Sequence, residues 1–235
     1  MNNIQFFATS VRYAVTLGTL LVFYGWLSHN AVYVQLVPDF SPTQFNAGLC
    51  FLFSVIALSF NGPTVIQQAS QQTATVCLIV LSGLTLMQDI LQLSLGIDTL
   101  FLDNPFLVDK TPNPGRMSPL TAICFLFIGM ICIIRGRPNL KTELGMRVYL
   151  GALFALTLVA GSVLLGYLLS ISDVQLGASY TEQAIVSALL FLGLAFINLV
   201  NLLHEPEFPM VERYFNANSA FIMVFLWSCY LSIAV

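Results

Sequence analysis

Residues 119–134 read PLTAICFLFIGMICII, an uncharged apolar run that begins just after Ser118 and stops at Arg135. A segment of this kind belongs in a large protein core or in a bilayer, and its surroundings decide between the two. Apolar stretches of about 17 to 25 residues recur along the chain between polar connections. Across all 235 residues, 57% are hydrophobic and 8% charged, and the mean hydropathy is +0.86. Soluble domains carry about a quarter charged residues, so too few ionisable side chains are present to coat a water-soluble globule. Membrane barrels alternate apolar and polar residues in strands of about ten, a pattern not seen here. The sequence therefore predicts an all-α integral membrane protein.

Working outward from that run, seven spans are expected: about 9–27, 46–60, 73–97, 119–134, 148–170, 183–203 and 219–235. The second and fourth are short for a bilayer. The first has no small-residue cleavage site behind it and reads as a retained helix, not a signal peptide. With the N-terminus in the cytoplasm, Arg12, Arg135, Arg137, Lys141, Arg147 and Arg213 fall inside, and Lys110 and Arg116 outside. This arrangement obeys the positive-inside rule. The expected topology is multi-pass with a cytoplasmic N-terminus. Seven spans leave Val235 on the outer face, which predicts an eighth span beyond it. The connections at 28–45 and 98–118 hold Pro, Asp and Asn together with Phe, Tyr and Leu, so they are expected to fold back onto the bundle. The uncharged connection at 61–72 reads as a short linker.

A phrase inside the opening run repeats. NAGLCFLF (Asn46 to Phe53), LTAICFLF (Leu120 to Phe127) and SALLFLG (Ser187 to Gly193) stand at the start of the even-numbered spans. LGYLLSISDVQLGASYT from Leu165 also matches YGWLSHNAVYVQLVPDF from Tyr24, loosely. The expected architecture is a seven-helix bundle, seven of eight if the further span exists. It is built from three helix–loop–helix hairpins (about 9–60, 73–134 and 148–203) plus a final helix at 219–235, all in a single domain.

LGIDTLF (95–101), PNPGRMSPLTAICFLFIG (112–129) and then LGYLLSISDVQLGASYT with SALLFLG resemble, in that order, the N-terminal multi-span sensor module of bacterial histidine kinases and GGDEF-type diguanylate cyclases. The resemblance covers roughly residues 20–203, and Pro-Gly-Arg-Met-Ser-Pro is its most specific element. It implies a sensory domain of a bacterial inner membrane, working as a homodimer, that relays a signal to a cytoplasmic kinase or cyclase domain. That output domain is absent from this sequence, and the resemblance carries over no catalytic residue.

The chain's own residues supply the candidate sites. Ser82, Thr85, Asp89, Gln92 and Gly96 follow three- and four-residue spacings and are expected on one face of the third span, with Gln88 at its edge. Asp89 is a carboxylate in apolar surroundings, and such groups face a bundle interior or a wet cavity. It can bind a cation or a polar ligand group, gate by protonation, or sit satisfied by its neighbours. Arg116 lies among Asp98, Asp103 and Asp109, and is expected to pair with one of them or to capture an anionic ligand. His29 reads as an external pH or ligand sensor, or as a solvated interfacial residue. His29 and His204 lie at opposite ends of the spans and cannot share a haem iron. Helix packing is assigned to Cys50, Cys124, Gly151, Ala155, Ser162, Gly166 and Asn198, with Asn201 beside Asn198 as a further interhelical hydrogen bonder. A redox or metal role for Cys50 with Cys124 is the lesser alternative. No metal-ligand spacing, cofactor motif or nucleic-acid surface is legible, and the last span has no lysine for a retinal Schiff base.

The function expected is a non-catalytic transmembrane input domain, with membrane lipid and a small-molecule ligand as partners. The alternatives are a small transporter or channel, and an anchoring or scaffold subunit.

Overall fold

The computed structural model describes residues 3–36, 41–60, 62, 64–101, 115–140, 142–168 and 183–204. Six α-helices are found among them: α1 (Asn3–Leu27), α2 (Phe45–Ser59), α3 (Val65–Leu91), α4 (Pro119–Gly136), α5 (Glu143–Leu168) and α6 (Ile185–His204). Short 3-10 turns at Ala31–Tyr33 and Pro138–Leu140 punctuate two connections. There is no strand among the described residues. All but α2 are long and apolar enough to cross a membrane. At 1.5 Å per residue, the 15-residue α2 reaches about 22 Å, short of the roughly 30 Å hydrocarbon core. The chain is thus a multi-pass helical membrane protein. Its described part holds six helices, and the seventh span expected at 219–235 lies outside the described residues, as does the family-like segment at 102–114.

The six helices form three antiparallel hairpins arranged around an axis. α2, α4 and α6 touch one another at the centre, and each of α1, α3 and α5 fills the outer groove between two of them. The repeated phrase builds the centre. Phe51, Phe125 and Phe191, each the sixth residue beyond its helix start, stack in a triangle with ring centroids 4.7, 4.8 and 4.8 Å apart. All three are completely buried. Aromatic side chains bury more area than any others, and the edge-on and tilted ring geometries add to that gain. Cys50 and Cys124 precede two of these rings as buried free thiols.

The outer helices present their remaining apolar faces outward. Phe6, Phe7, Tyr13, Leu17 and Tyr24 on α1, and Val65, Ile66, Val76, Val80 and Ile90 on α3, are exposed side chains that suit lipid rather than water. Close approach between outer and inner helices relies on glycine. A Cβ at Gly129 would lie 2.5 Å from Ile79, and one at Gly193 2.5 Å from Val15.

Several sequence expectations shift at the helix ends. α3 begins eight residues earlier than expected, because Thr64 caps it by accepting a bond from Gln67 N while its hydroxyl donates to Gln67 Oε1. The polar stretch VIQQASQQ is therefore helix, not linker. α3 also stops six residues earlier, at Leu91. Gln92 takes a left-handed conformation (φ 52°) and Gly96 lies in the loop (φ 71°). The stripe predicted through Gln92 and Gly96 thus ends at Asp89. On α5, Gly151 and Ser162 are exposed and Ala155 and Gly166 half-buried, and a Cβ at Gly151 or Gly166 would meet nothing within 4 Å. The small residues that pack against neighbouring helices are Ala152, Ala160 and Gly161. Within one chain, the predicted Gly151–Gly166 stripe brings no helices together.

Candidate functional site

The end of the bundle where α1, α3 and α5 stop and α2, α4 and α6 start is called here the upper end. At that end, each hairpin ties its connection to its own outer helix. In the first, the Trp26 indole donates to the Thr43 carbonyl at 2.7 Å. In the third, the Tyr167 hydroxyl donates to the Gln183 carbonyl at 2.9 Å. Thr43 and Gln183 each stand eight residues before their central phenylalanine, so the two ties occupy equivalent places in the repeat. The second hairpin reverses the direction of the tie and uses charge. Its donor, Arg116, stands nine residues before Phe125 and reaches back to α3.

Arg116 is the hub of a buried polar network. Its Nη1 donates to Asp89 Oδ1 at 3.0 Å, its Nε to Asp98 Oδ2 at 2.9 Å and its Nη2 to the Leu93 carbonyl at 3.0 Å. The last bond places a cation at the C-terminal end of α3, where the helix dipole favours it. Gln88 Nε2 donates to the same Asp98 oxygen at 2.9 Å. From α2, Asn46 Nδ2 donates to the Ile97 carbonyl at 3.0 Å, fixing the backbone beside Asp98. Phe45 and Phe101 stack loosely beside it, 6.4 Å apart. The side chains of Arg116, Asp89 and Asp98 are 5%, 10% and 8% exposed, and Gln88 is completely buried. Gly115 makes the turn into Arg116 (φ 86°), and a Cβ there would lie 3.0 Å from the Asp98 carbonyl oxygen.

The electrostatics are unbalanced in a definite direction. Burial opposes the charged guanidinium, and the hydrogen bonds to Asp98 and Asp89 outweigh it, holding Arg116 above its ordinary value. With both carboxylates ionised, the network carries one positive and two negative charges. Each acid uses one oxygen on Arg116, while Asp89 Oδ2 and Asp98 Oδ1 are buried without a hydrogen-bond partner. The same is true of Gln88 Oε1 and Asn46 Oδ1. The atoms of this cluster that make no hydrogen bond at all are oxygens.

The sequence puts Asp89 and Arg116 in separate candidate sites, and the fold makes them one. Asp98 is the acid from the Arg116 neighbourhood that pairs with it, while Asp103 and Asp109 lie outside the described residues. Asp89 stands in the last turn of α3. Thr85 is completely buried one turn lower, where its hydroxyl donates to the Leu81 carbonyl at 3.0 Å. Gln92 is exposed, and its amide donates to the Asp89 carbonyl at 2.6 Å. His29 is exposed in a left-handed turn (φ 53°) after α1. Asn46 joins the cluster from the second residue of α2. Its position at the upper start of α2 was the signal for a capping or loop-holding role.

A second polar layer lies at the lower end. Arg135 and Asn201 each stand ten residues beyond a central phenylalanine, and Arg12 donates to Asn201 Oδ1 at 3.5 Å. Nearby, the Tyr149 hydroxyl donates to the Asn198 carbonyl at 3.0 Å, joining α5 to α6. Among the described residues there is no cluster of three or more His, Cys, Asp or Glu side chains suited to a metal ion. Neither protein-family models, nor curated proteins, nor solved structures match this chain.

Proposed function

We propose that this chain is a non-catalytic transmembrane input domain in which the buried network at the upper end receives a signal and α3 carries it across the bundle. The observation that carries the reading is the Arg116 tie. It joins an extramembrane connection to the last turn of a 27-residue helix that runs about 40 Å to the opposite end. A change in the network therefore acts on the end of a continuous rigid element, and rigid elements with two arrangements transmit coupling between distant sites. The resemblance to kinase and cyclase sensor modules points the same way. In this proposal the membrane is bacterial, the N-terminus is cytoplasmic and two copies associate.

A transporter or channel is the competing reading. Against it, the Phe51, Phe125 and Phe191 rings are in mutual contact on the axis between the inner helices, where a conducting path would run.

Hydrogen exchange on the purified chain in nanodiscs tests the proposal. Arg116→Ala is expected to alter exchange in the first turns of α3, residues 65–72, as well as around residues 89–98. A change confined to 89–98, together with ion flux in proteoliposomes, would replace the input-domain reading with the transport one.

A further inference from the structure

We infer that the network around Arg116 is a binding site for a small monovalent inorganic cation, held by oxygens of Asn46, Gln88, Asp89 and Asp98. The inference deepens the reading of this network as the input site and rests on it for its biological meaning, although the binding itself does not.

Donor nitrogens and acceptor oxygens in the network do not match. Arg116 directs Nε, Nη1 and Nη2 to three acceptors, and the Gln88 and Asn46 amide nitrogens are engaged with Asp98 and the Ile97 carbonyl. Four oxygens are left over, and all are buried and unpartnered. Two of them belong to neutral amides on residues that are 0% and 1% exposed. Exchanging the nitrogen and oxygen of Gln88 would set its carbonyl against the Asp98 carboxylate, so a flipped amide does not resolve the mismatch. Buried polar atoms in native proteins find partners. The second N–H of each Arg116 Nη, of Gln88 Nε2 and of Asn46 Nδ2 makes no hydrogen bond to these four oxygens, which leaves them open to a donor or a cation from outside the network.

Charge and ligand type narrow the choice. Two carboxylates and one guanidinium leave a single negative charge, which one monovalent cation neutralises. A divalent ion would leave the buried site positive, a costly state beside lipid. Carboxylate and amide oxygens are hard ligands that suit alkali and alkaline-earth ions rather than thiophilic metals. The ligands also come from three places: Asn46 from α2, Gln88 and Asp89 from α3, and Asp98 from the connection. A bound cation would therefore pull the connection and α2 onto the end of α3, which is the movement an input signal needs.

The test uses the full chain in nanodiscs, with thermal unfolding followed by circular dichroism. Sodium, potassium, calcium and choline chlorides are titrated at matched ionic strength. A saturable rise of the midpoint with sodium or potassium, absent with choline, is expected. Asp98→Asn and, separately, Asn46→Leu should weaken the apparent affinity at least about tenfold. Asn46→Leu leaves all three Arg116 bonds in place, so it remains informative if Asp98→Asn fails to fold. Equal midpoints in all four salts, a response to calcium alone, or a sodium response unchanged in Asn46→Leu would overturn the inference. Because this readout needs no signal relay, cation binding without any effect at the lower end would sink the input-domain reading and leave the site standing.

Discussion

Replacing Arg116 with Ala removes three charge-assisted hydrogen bonds at once and leaves two carboxylates, each about nine-tenths buried, facing one another without a counter-charge. Breaking a buried pair by deleting one partner costs about 3–5 kcal/mol, most of it from the uncompensated charge left behind. Here two acids are stranded, so the upper part of that range is expected. The single carboxylate changes must behave differently. Asp89→Asn loses one ionic bond, leaves the Arg116–Asp98 pair intact and brings the network to neutrality. Its cost should be about 0.5–1.5 kcal/mol. Asp98→Asn disturbs the bonds to both Arg116 and Gln88 and should fall between the two. The assay is reversible unfolding in mixed detergent micelles, read by circular dichroism, for each single variant and for Arg116→Ala combined with Asp89→Asn. The double variant should be less damaged than the sum of its parts, with a coupling of about 1–3 kcal/mol, because the second change removes a charge that the first had stranded. Strictly additive costs, or an Arg116→Ala variant within about 0.5 kcal/mol of the parent, would show that the network does not hold the upper end together.

Three other outcomes follow from the packing. Phe125→Ala opens the centre of the aromatic triangle and should lower stability by about 3–5 kcal/mol in the same unfolding assay, with Phe51→Ala and Phe191→Ala close behind. Gly129→Val drives a side chain into Ile79 on α3 and should cost about 1–3 kcal/mol, whereas Gly151→Val, facing open space, should change stability by less than about 0.5 kcal/mol. Trp26→Phe leaves the buried Thr43 carbonyl without its donor and should cost about 1–3 kcal/mol. A matching loss of protection at the Thr43 segment in hydrogen exchange would locate the damage.

The membrane class and the positions of the first six helices were legible because length and apolarity measure what the bilayer selects. Helix ends were not, since hydrophobicity stops at the headgroups while the helix continues. VIQQASQQ is too polar to read as a span, yet Thr64 followed three residues later by Gln67 is a capping pattern that marks the true start of α3. The left-handed turn at Gln92 has no such mark, because nothing in a glutamine announces a helix stop. The repeated Cys-Phe-Leu-Phe pointed to related helices, and the structure adds why the phenylalanine recurs: it fills the axis where three inner helices meet. Asp89 and Arg116 were each visible as an odd charge. Their pairing was hidden by a separation of 27 positions and by three nearby acids that looked equally eligible. Small residues on α5 misled for a related reason. Spacing identifies a face but not which side of it the neighbouring helices occupy.

An input domain of this design requires coupling between the two ends of α3. Spin labels at the exposed positions Val65 on α3 and Leu144 on α5 place a ruler across the lower end of the bundle. Their distance distribution, measured by pulsed electron paramagnetic resonance in nanodiscs, is predicted to shift when Arg116 is replaced by Ala. An identical distribution in the parent and the variant, with the upper end demonstrably loosened, would contradict the account.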